Sequence, residues 1–213
     1  MIFSHENEAY KEKWNRLGAN RWNGAYYYSK EIVERIIPNV NTTRNWVTVN
    51  IKGMCADHSI VFIHNNNRPQ NYEWLSRYKD LILICGVPST VEKVAHLGKA
   101  IYIPISIDRS FVEQFKTKKT KGTAYVGRQP KRKDMKFDDD VDFIEGLPRV
   151  ELLKRMAMYK NIYAVGRTAL EGKVLGCNIL PFDERYPDVS LWKAYDNLTM
   201  AKRLQKAVDE IDS

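Results

Sequence analysis

No apolar run approaches the roughly eighteen residues that a membrane-crossing helix needs, and the opening Met1-Ile2-Phe3-Ser4-His5-Glu6 lacks the basic-then-apolar order of a secretory leader. The sequence therefore reads as that of a cytoplasmic protein with no membrane span. Cysteine is scarce. Cys55, Cys85 and Cys177 lie far apart, in or beside apolar runs, and form no C-x-x-C pair able to hold zinc or a redox disulfide, so they are expected as buried thiols. The four histidines, His5, His58, His64 and His96, show no metal-ligand spacing, and no metal site is expected. Apolar material is not lacking: 44% of the 213 residues are hydrophobic and 11% aromatic, enough for one ordinary domain or two small lobes.

Acidic residues are thin in one stretch. The formal charge is +8, and Lys116 to Lys136 holds Lys116, Lys118, Lys119, Lys121, Arg128, Lys131, Arg132, Lys133 and Lys136 against the single acid Asp134. Such a run is either a solvated lysine-rich linker or a site for phosphate or nucleic acid.

Two series of elements follow one another along the chain. Glu6 to Arg16 has a helical pattern, and Ser29 is placed to cap a helix over Lys30 to Ile37 that Pro38 stops. The Asn23-Gly24 turn and Tyr26, Tyr27 and Tyr28 then precede that helix. Short β-branched runs come next, at Trp46 to Ile51, Ile60 to His64, Leu81 to Cys85 and Ala100 to Pro104, with helical patterns at Tyr72 to Tyr78 and Thr90 to Leu97. Continuous apolar runs separated by helices indicate a buried parallel sheet. The link between the first two runs is too short for a helical crossover, which predicts an antiparallel or interrupted pairing there. A second series alternates in the same way: Thr123 to Gly127, Asp142 to Ile144, a helix over Arg149 to Met158, Ile162 to Val165, a helix over Thr168 to Leu175, and Ile179 to Phe182. Leu191 to Ile211 is helical in period. A weak echo links the series, Gly86…Thr90…Leu97-Gly98…Pro104 against Gly166…Thr168…Leu175-Gly176…Pro181. The fold class predicted is α/β, with two small Rossmann-like lobes facing a cleft.

The dipeptide Gly-Arg ends two predicted strands, as Gly127-Arg128 and Gly166-Arg167. In a parallel sheet the carboxyl ends of strands share one edge, where ligands bind, so both arginines are candidates for one crevice. After Arg167 the run Thr168-Ala169-Leu170-Glu171 reads as a capped helix amino end suited to phosphate, with Glu171 one turn in and able to accept from a ribose diol. Lys131, Arg132 and Lys133 follow the first Gly-Arg in a loop opened by Pro130. One charge pair at about 4 Å is worth about 1 kcal/mol in water and about 4 at an effective dielectric near 20, so a diphosphate calls for several cations in a partly closed site. His64, at a strand end and followed by Asn65, Asn66 and Asn67, is the leading acceptor-side base, ahead of His58 and Asp57.

Taken together, Tyr125 to Phe182 resembles the nucleotide-sugar lobe of the GT-B glycosyltransferases, especially their large fourth family. Tyr125-Val126-Gly127-Arg128 is similar to that family's first carboxy-lobe strand and phosphate-binding arginine. Gly146-Leu147-Pro148-Arg149 is similar to the loop and helix beside the base, and Gly166 to Gly176 to the helix whose glutamate, here Glu171, binds ribose. Ile103 to Asp108 with Phe111 resembles the interlobe segment. Tyr163 stands where the family has an earlier glutamate, and Asp134, with Lys133 adjacent, where it has a catalytic lysine. The resemblance implies a compact GT-B-like chain, with a reduced amino-terminal acceptor lobe over 1–110 and a nucleotide-sugar lobe over 111–213 that includes the C-terminal helix. It implies a glycosyltransferase-like protein, a hexosyltransferase, with Arg128, Lys133 and His64 in catalysis and Gly127, Arg167, Thr168, Glu171 and Gly24 around the donor. The donor is a nucleoside diphosphate sugar, such as a UDP- or GDP-sugar, and no resident cofactor is expected. The acceptor stays open, a macromolecule such as modified DNA among the choices. The alternative is a non-catalytic protein of the same fold that binds a nucleotide, or nucleic acid through Lys116 to Lys136.

Overall fold

The computed structural model describes residues 1–8, 12, 24–64, 69–127, 137, 140–180 and 193–213. They fall into two compact units, one of Met1–Ser106 with Asn197–Ser213 and one of Ile107–Asp196. Each passage between the units carries a two-residue strand, β6 (Ser106–Ile107) on the way out and β11 (Tyr195–Asp196) on the return. Most of the predicted helix at 6–16, residues 9–11 and 13–16, lies outside the described residues. Among those described, no helix is long and apolar enough to cross a membrane.

The first unit holds a five-stranded sheet of β1 (Ile2–Phe3), β2 (Asn45–Val47), β3 (Ser59–Ile63), β4 (Leu81–Cys85) and β5 (Lys99–Tyr102), all parallel and side by side in chain order. Every residue of β3 and β4 is buried, which is why these strands read as unbroken apolar runs. Alternate side chains feed two cores. Trp46, Ile60, Phe62, Ile82 and Ile84 meet Ile32, Ile36, Met200 and Leu204 on one face. Val47, Val61, Leu81 and Leu83 meet Tyr72, Leu75, Val94 and Leu97 on the other, supplied by a 3-10 helix (Pro69–Arg77) and α2 (Pro88–Val94) with its 3-10 extension.

Three expectations for this unit are corrected. The β2–β3 pairing is parallel, because β2 ends at Val47 and leaves residues 48–58 for the return. Val49 and Met54 of that loop form a small core of their own, in place of a crossover helix. Ser29 does not cap a helix: α1 runs over Gly24–Glu31, so Tyr26 to Tyr28 lie within it, and Ser29 is buried with its Oγ 2.7 Å from Thr48 Oγ1. The chain continues as a π-helix (Ile32–Ile36) and a 3-10 turn (Ile37–Asn39) that includes Pro38. Proline has no N–H for an α-helical bond, so the widened and then tightened turns carry the chain through it. The C-terminal helix, α6 (Asn197–Asp212), belongs to the first unit rather than to the second lobe. Its Met200, Leu204 and Val208 pack with Ile32 and Ile36. Its last turn is fixed by the buried Arg44, which donates from Nε to Asp212 Oδ1 at 2.9 Å and from Nη1 to the Asp80 carbonyl at 3.0 Å.

The second unit has a four-stranded parallel sheet in the order β10-β9-β7-β8, from β7 (Lys121–Val126), β8 (Val141–Ile144), β9 (Tyr159–Tyr163) and β10 (Asn178–Leu180). α3 (Arg109–Glu113) precedes β7, α4 (Arg149–Ala157) joins β8 to β9, and α5 (Gly166–Val174) joins β9 to β10. The winding goes outward from β7 to β8, then returns past β7 to β9 and β10. That reversal is the topological switch point of a doubly wound sheet. The described strands of the first unit contain no such reversal, since their spatial order follows the chain.

One lysine of the basic run is structural here. Lys119 Nζ donates to the carbonyls of Ala157 at 2.9 Å and Leu175 at 2.8 Å, capping the carboxyl ends of α4 and α5 at once, and reaches Cys177 Sγ at 3.3 Å. Lys121 donates to Tyr159 Oη and to Asp142 Oδ2, both at 3.3 Å, and Lys116 pairs with Glu113. Lys119→Met is therefore expected to cost about 2 kcal/mol in urea unfolding, from charge-assisted bonds lost at two helix ends, whereas the exposed Lys118→Met should stay within about 0.5 kcal/mol.

Candidate functional site

Two charged side chains that the fold buries, Arg167 and Glu171, lie at the carboxyl edge of the second sheet. β7 ends at Val126 and is followed by Gly127, whose N–H donates to the Ile144 carbonyl at 3.2 Å. A Cβ on Gly127 would lie 2.8 Å from Tyr125 Oη, so a side chain there would force that phenol to shift. Arg128 and Lys133 lie outside the described residues. β9 leads through Ala164 and Val165 into α5, whose first residue Gly166 has φ +55°, a left-handed conformation costly for any other residue. Gly172 serves packing instead. A Cβ there would collide with Ile162 of β9, so its absence lets α5 lie close on the sheet.

The N-cap of α5 is Val165, with no side-chain capping bond. Thr168, expected as a cap, is instead the third helical residue and is half-buried. The amino-end N–H groups of α5 thus have no side-chain acceptor at the cap position, and the dipole is positive there. Arg167 is the second residue of the helix and is buried. Its Nε donates to Glu171 Oε1 at 2.8 Å, one turn on. The same oxygen accepts from Arg149 Nη1 at 2.7 Å. Arg149 opens α4, and its guanidinium carbon lies 5.8 Å from the centroid of the Phe111 ring. The three side chains are 10%, 6% and 3% exposed for Arg149, Arg167 and Glu171. Burial by itself would raise the Glu171 pKa, but the adjacent Arg149 and Arg167 outweigh it and hold the carboxyl below its ordinary range, so it is ionised.

The second Gly-Arg and Glu171 are thus joined in one cluster, to which Arg149 is the addition. Arg149 stood in the sequence within Gly146-Leu147-Pro148-Arg149. The signal was its position at the start of a helix, against the dipole. Beside the cluster's edge, Phe137 makes edge-on contacts with Tyr125, Phe143 and Tyr163, at centroid distances of 5.6, 5.6 and 5.3 Å.

His64 and Gly24 belong to the first unit, where Gly24 is the first residue of α1. His64 follows β3 at the carboxyl edge, as expected, but the imidazole is not poised as a base. Its Nε2 donates to the Thr48 carbonyl at 2.7 Å, the Tyr28 ring stands edge-on at 5.4 Å, and burial lowers its pKa from 6.5 to about 4. Asn65 to Asn67 lie outside the described residues. His58 and Asp57 precede β3 and so sit at the opposite, amino edge. There His58 Nδ1 donates to Asp80 Oδ2 at 2.5 Å, and Asp57 accepts the Lys79 N–H at 2.8 Å. The carboxyl edge also holds His5, buried after β1 and 5.1 Å from the Tyr26 ring; in the sequence it stood only as one of four histidines without metal-ligand spacing.

No protein-family model, curated protein or solved structure matches this chain.

The state of His64 has a consequence for stability. Its imidazole is neutral down to about pH 4 in the folded protein but protonates near 6.5 once exposed, so unfolding takes up a proton between those values. The contribution is full above about pH 6.5 and is lost as the pH falls toward 4, amounting to about 2 kcal/mol between pH 7 and pH 5. Urea unfolding at those two pH values should show that much more loss in the wild type than in His64→Gln, which lacks the titrating group. Equal losses in both proteins would mean that His64 is accessible and titrates normally.

Proposed function

We propose that this protein is glycosyltransferase-like: it holds a nucleoside diphosphate sugar in its second unit and transfers the sugar to an acceptor, its two units being the lobes of a compact GT-B-like chain. The observation that carries the reading is a coincidence of position. The reversal of strand order, the helix amino end opened by Gly166, the buried Arg167 and Glu171 and the partly exposed Arg149 all fall on the carboxyl edge of one parallel sheet. That edge is where doubly wound sheets bind nucleotides, with phosphate at a helix amino end.

In this reading the diphosphate lies at the amino end of α5 near Gly127, Arg167 and Thr168. Arg128 and Lys133, which the sequence puts directly after β7, neutralise the charge of the leaving group. The bond from the anomeric carbon to the phosphate oxygen breaks, and the acceptor oxygen bonds to that carbon. With His64 neutral and its Nε2 proton bonded to Thr48, the acceptor proton passes to the leaving phosphate rather than to this histidine. Lys119, Lys121 and Lys116 each bond within the second unit, which weakens the nucleic-acid alternative for the first part of the basic run.

Melting temperatures of the purified protein with UDP, GDP, ADP and TDP and their common sugars, with and without magnesium, test the reading. A ligand present at about one hundred times its dissociation constant adds about 2.7 kcal/mol, and the expected result is a rise of several degrees confined to one base. If no nucleotide raises the melting temperature at millimolar concentration, the proposal is wrong.

A further inference from the structure

We infer that Arg149 and Arg167, held in place by Glu171, form a site for a diphosphate group, and that Glu171 is a positioning residue for these two arginines rather than a ligand to ribose. The inference rests on the reading of the second unit as a nucleotide-binding unit, and it departs from the resemblance in the role of Glu171.

Arg149 and Arg167 share one oxygen of Glu171. A carboxylate that takes a ribose diol offers its lone pairs to two neutral hydroxyls. Here Oε1 accepts from two guanidiniums, at 2.7 Å from Arg149 and 2.8 Å from Arg167. Bonds between charged partners are roughly twice as strong as neutral ones, so a sugar hydroxyl does not displace either arginine from a carboxylate buried to 3% exposure.

Neither stability nor local preference explains this cluster. A buried group of ions adds little stability over apolar side chains of the same volume, because desolvation offsets the attraction. Fold stability therefore does not account for it. Local preference does not account for it either: Arg149 is the first residue of α4 and Arg167 the second of α5, and the positive end of a helix dipole disfavours a cation at both places. Sequences break such local rules chiefly at functional sites.

Position and shape name the ligand. Both arginines stand at helix amino ends on the edge where α4 and α5 begin, so guanidinium charge and helix dipole act together on an incoming anion. A planar guanidinium fork matches phosphate oxygens. Phe111 lies against the Arg149 guanidinium and limits its tilt, and Arg149 is also the most exposed of the three side chains, which makes it the first to meet a ligand. Two guanidiniums held by one carboxylate suit a ligand with two linked phosphates, either free pyrophosphate or the diphosphate of a nucleotide.

Calorimetric titration of the full chain with inorganic pyrophosphate at low, fixed salt is the test. It is followed by UDP and GDP and their 2′-deoxy forms. The wild type is expected to bind pyrophosphate, with affinity falling at least about tenfold in both Arg149→Lys and Glu171→Gln. In Glu171→Gln the preference for ribose over deoxyribose should stay within about twofold while all the diphosphates weaken together. If Glu171→Gln does not fold, as judged by circular dichroism and melting, Arg149→Lys and Arg167→Lys carry the pyrophosphate measurement. The inference is overturned if pyrophosphate does not bind at millimolar concentration, or if Arg149→Lys binds it as tightly as the wild type. It is equally overturned if Glu171→Gln keeps pyrophosphate affinity and loses only the ribose preference. Pyrophosphate binding that depends on these residues, with no nucleotide bound, would uphold the anion site and remove the nucleotide-sugar reading. Nucleotide binding indifferent to both arginines would do the reverse.

Discussion

All strands within each of the two large sheets run the same way, and this constraint sorts the chemistry of the chain. In a parallel sheet every carboxyl end falls on one edge and every amino end on the other, so residues distant in sequence are delivered to two sets with different surroundings. The amino edges are closed by ion pairs that hold elements together: Arg44 with Asp80 and Asp212 in the first unit, and Lys121 with Asp142, both hydrogen-bonded to the Tyr159 hydroxyl, in the second. The carboxyl edges hold different groups: His5, Thr48 and His64 in one unit, and Arg149, Arg167 and Glu171 in the other. The amino-edge pairs account for themselves as closures of loops and helix ends. The second unit's carboxyl-edge cluster does not, because it sets arginines at helix starts.

The two sheets differ in winding, and the difference bears on which of them holds a ligand. A sheet whose order follows the chain steps to the same side at every connection and opens no crevice between diverging connections. The described strands of the first unit have that order. In the second unit the connections after β7 and after β9 diverge, and the crevice of a doubly wound sheet forms between such connections. Gly127 and Gly166 follow these two strands, each for its own reason: a phenol pressed against the first, and a left-handed backbone at the second.

Much of the architecture was legible because burial on both faces leaves a plain trace. Leu81 to Cys85 was bounded as the structure has it, and Ile60 to His64 and Arg149 to Met158 differ from the observed elements by a residue or so at an end. What was not legible depended on partners far along the chain. Ser29 has the composition of a cap, but Thr48 and the buried flank of α1 draw it into a helix. α6 was read with its neighbours in sequence, yet its apolar face matches Ile32 and Ile36. Lys119 looked like one more solvated lysine in a run, because only the folded chain brings the carboxyl ends of α4 and α5 to it. The echo between the two series was partly composition. Gly98 is required because a Cβ would press on the Leu81 carbonyl, at 2.6 Å, whereas Gly176 is required for its φ of +81° at a helix end.

The candidate site shows the same division more sharply. Position was readable from sequence, since Gly-Arg after a strand names the edge on which an arginine falls, and Glu171 one turn into the helix follows from spacing. Role was not readable, because it depends on Arg149, which reaches Glu171 from another helix. A lone glutamate near a helix amino end is free to serve a hydroxyl. The same glutamate bonded to two guanidiniums through a single oxygen already holds stronger donors than a sugar hydroxyl, and its effect on a diphosphate passes through them. The arginines depend on it in turn, because two like charges buried side by side at two dipole ends repel each other and the helices that carry them. The carboxylate makes that arrangement tenable, and so the group that sequence alone marks as a ligand becomes, in the folded chain, the support of the residues that meet one.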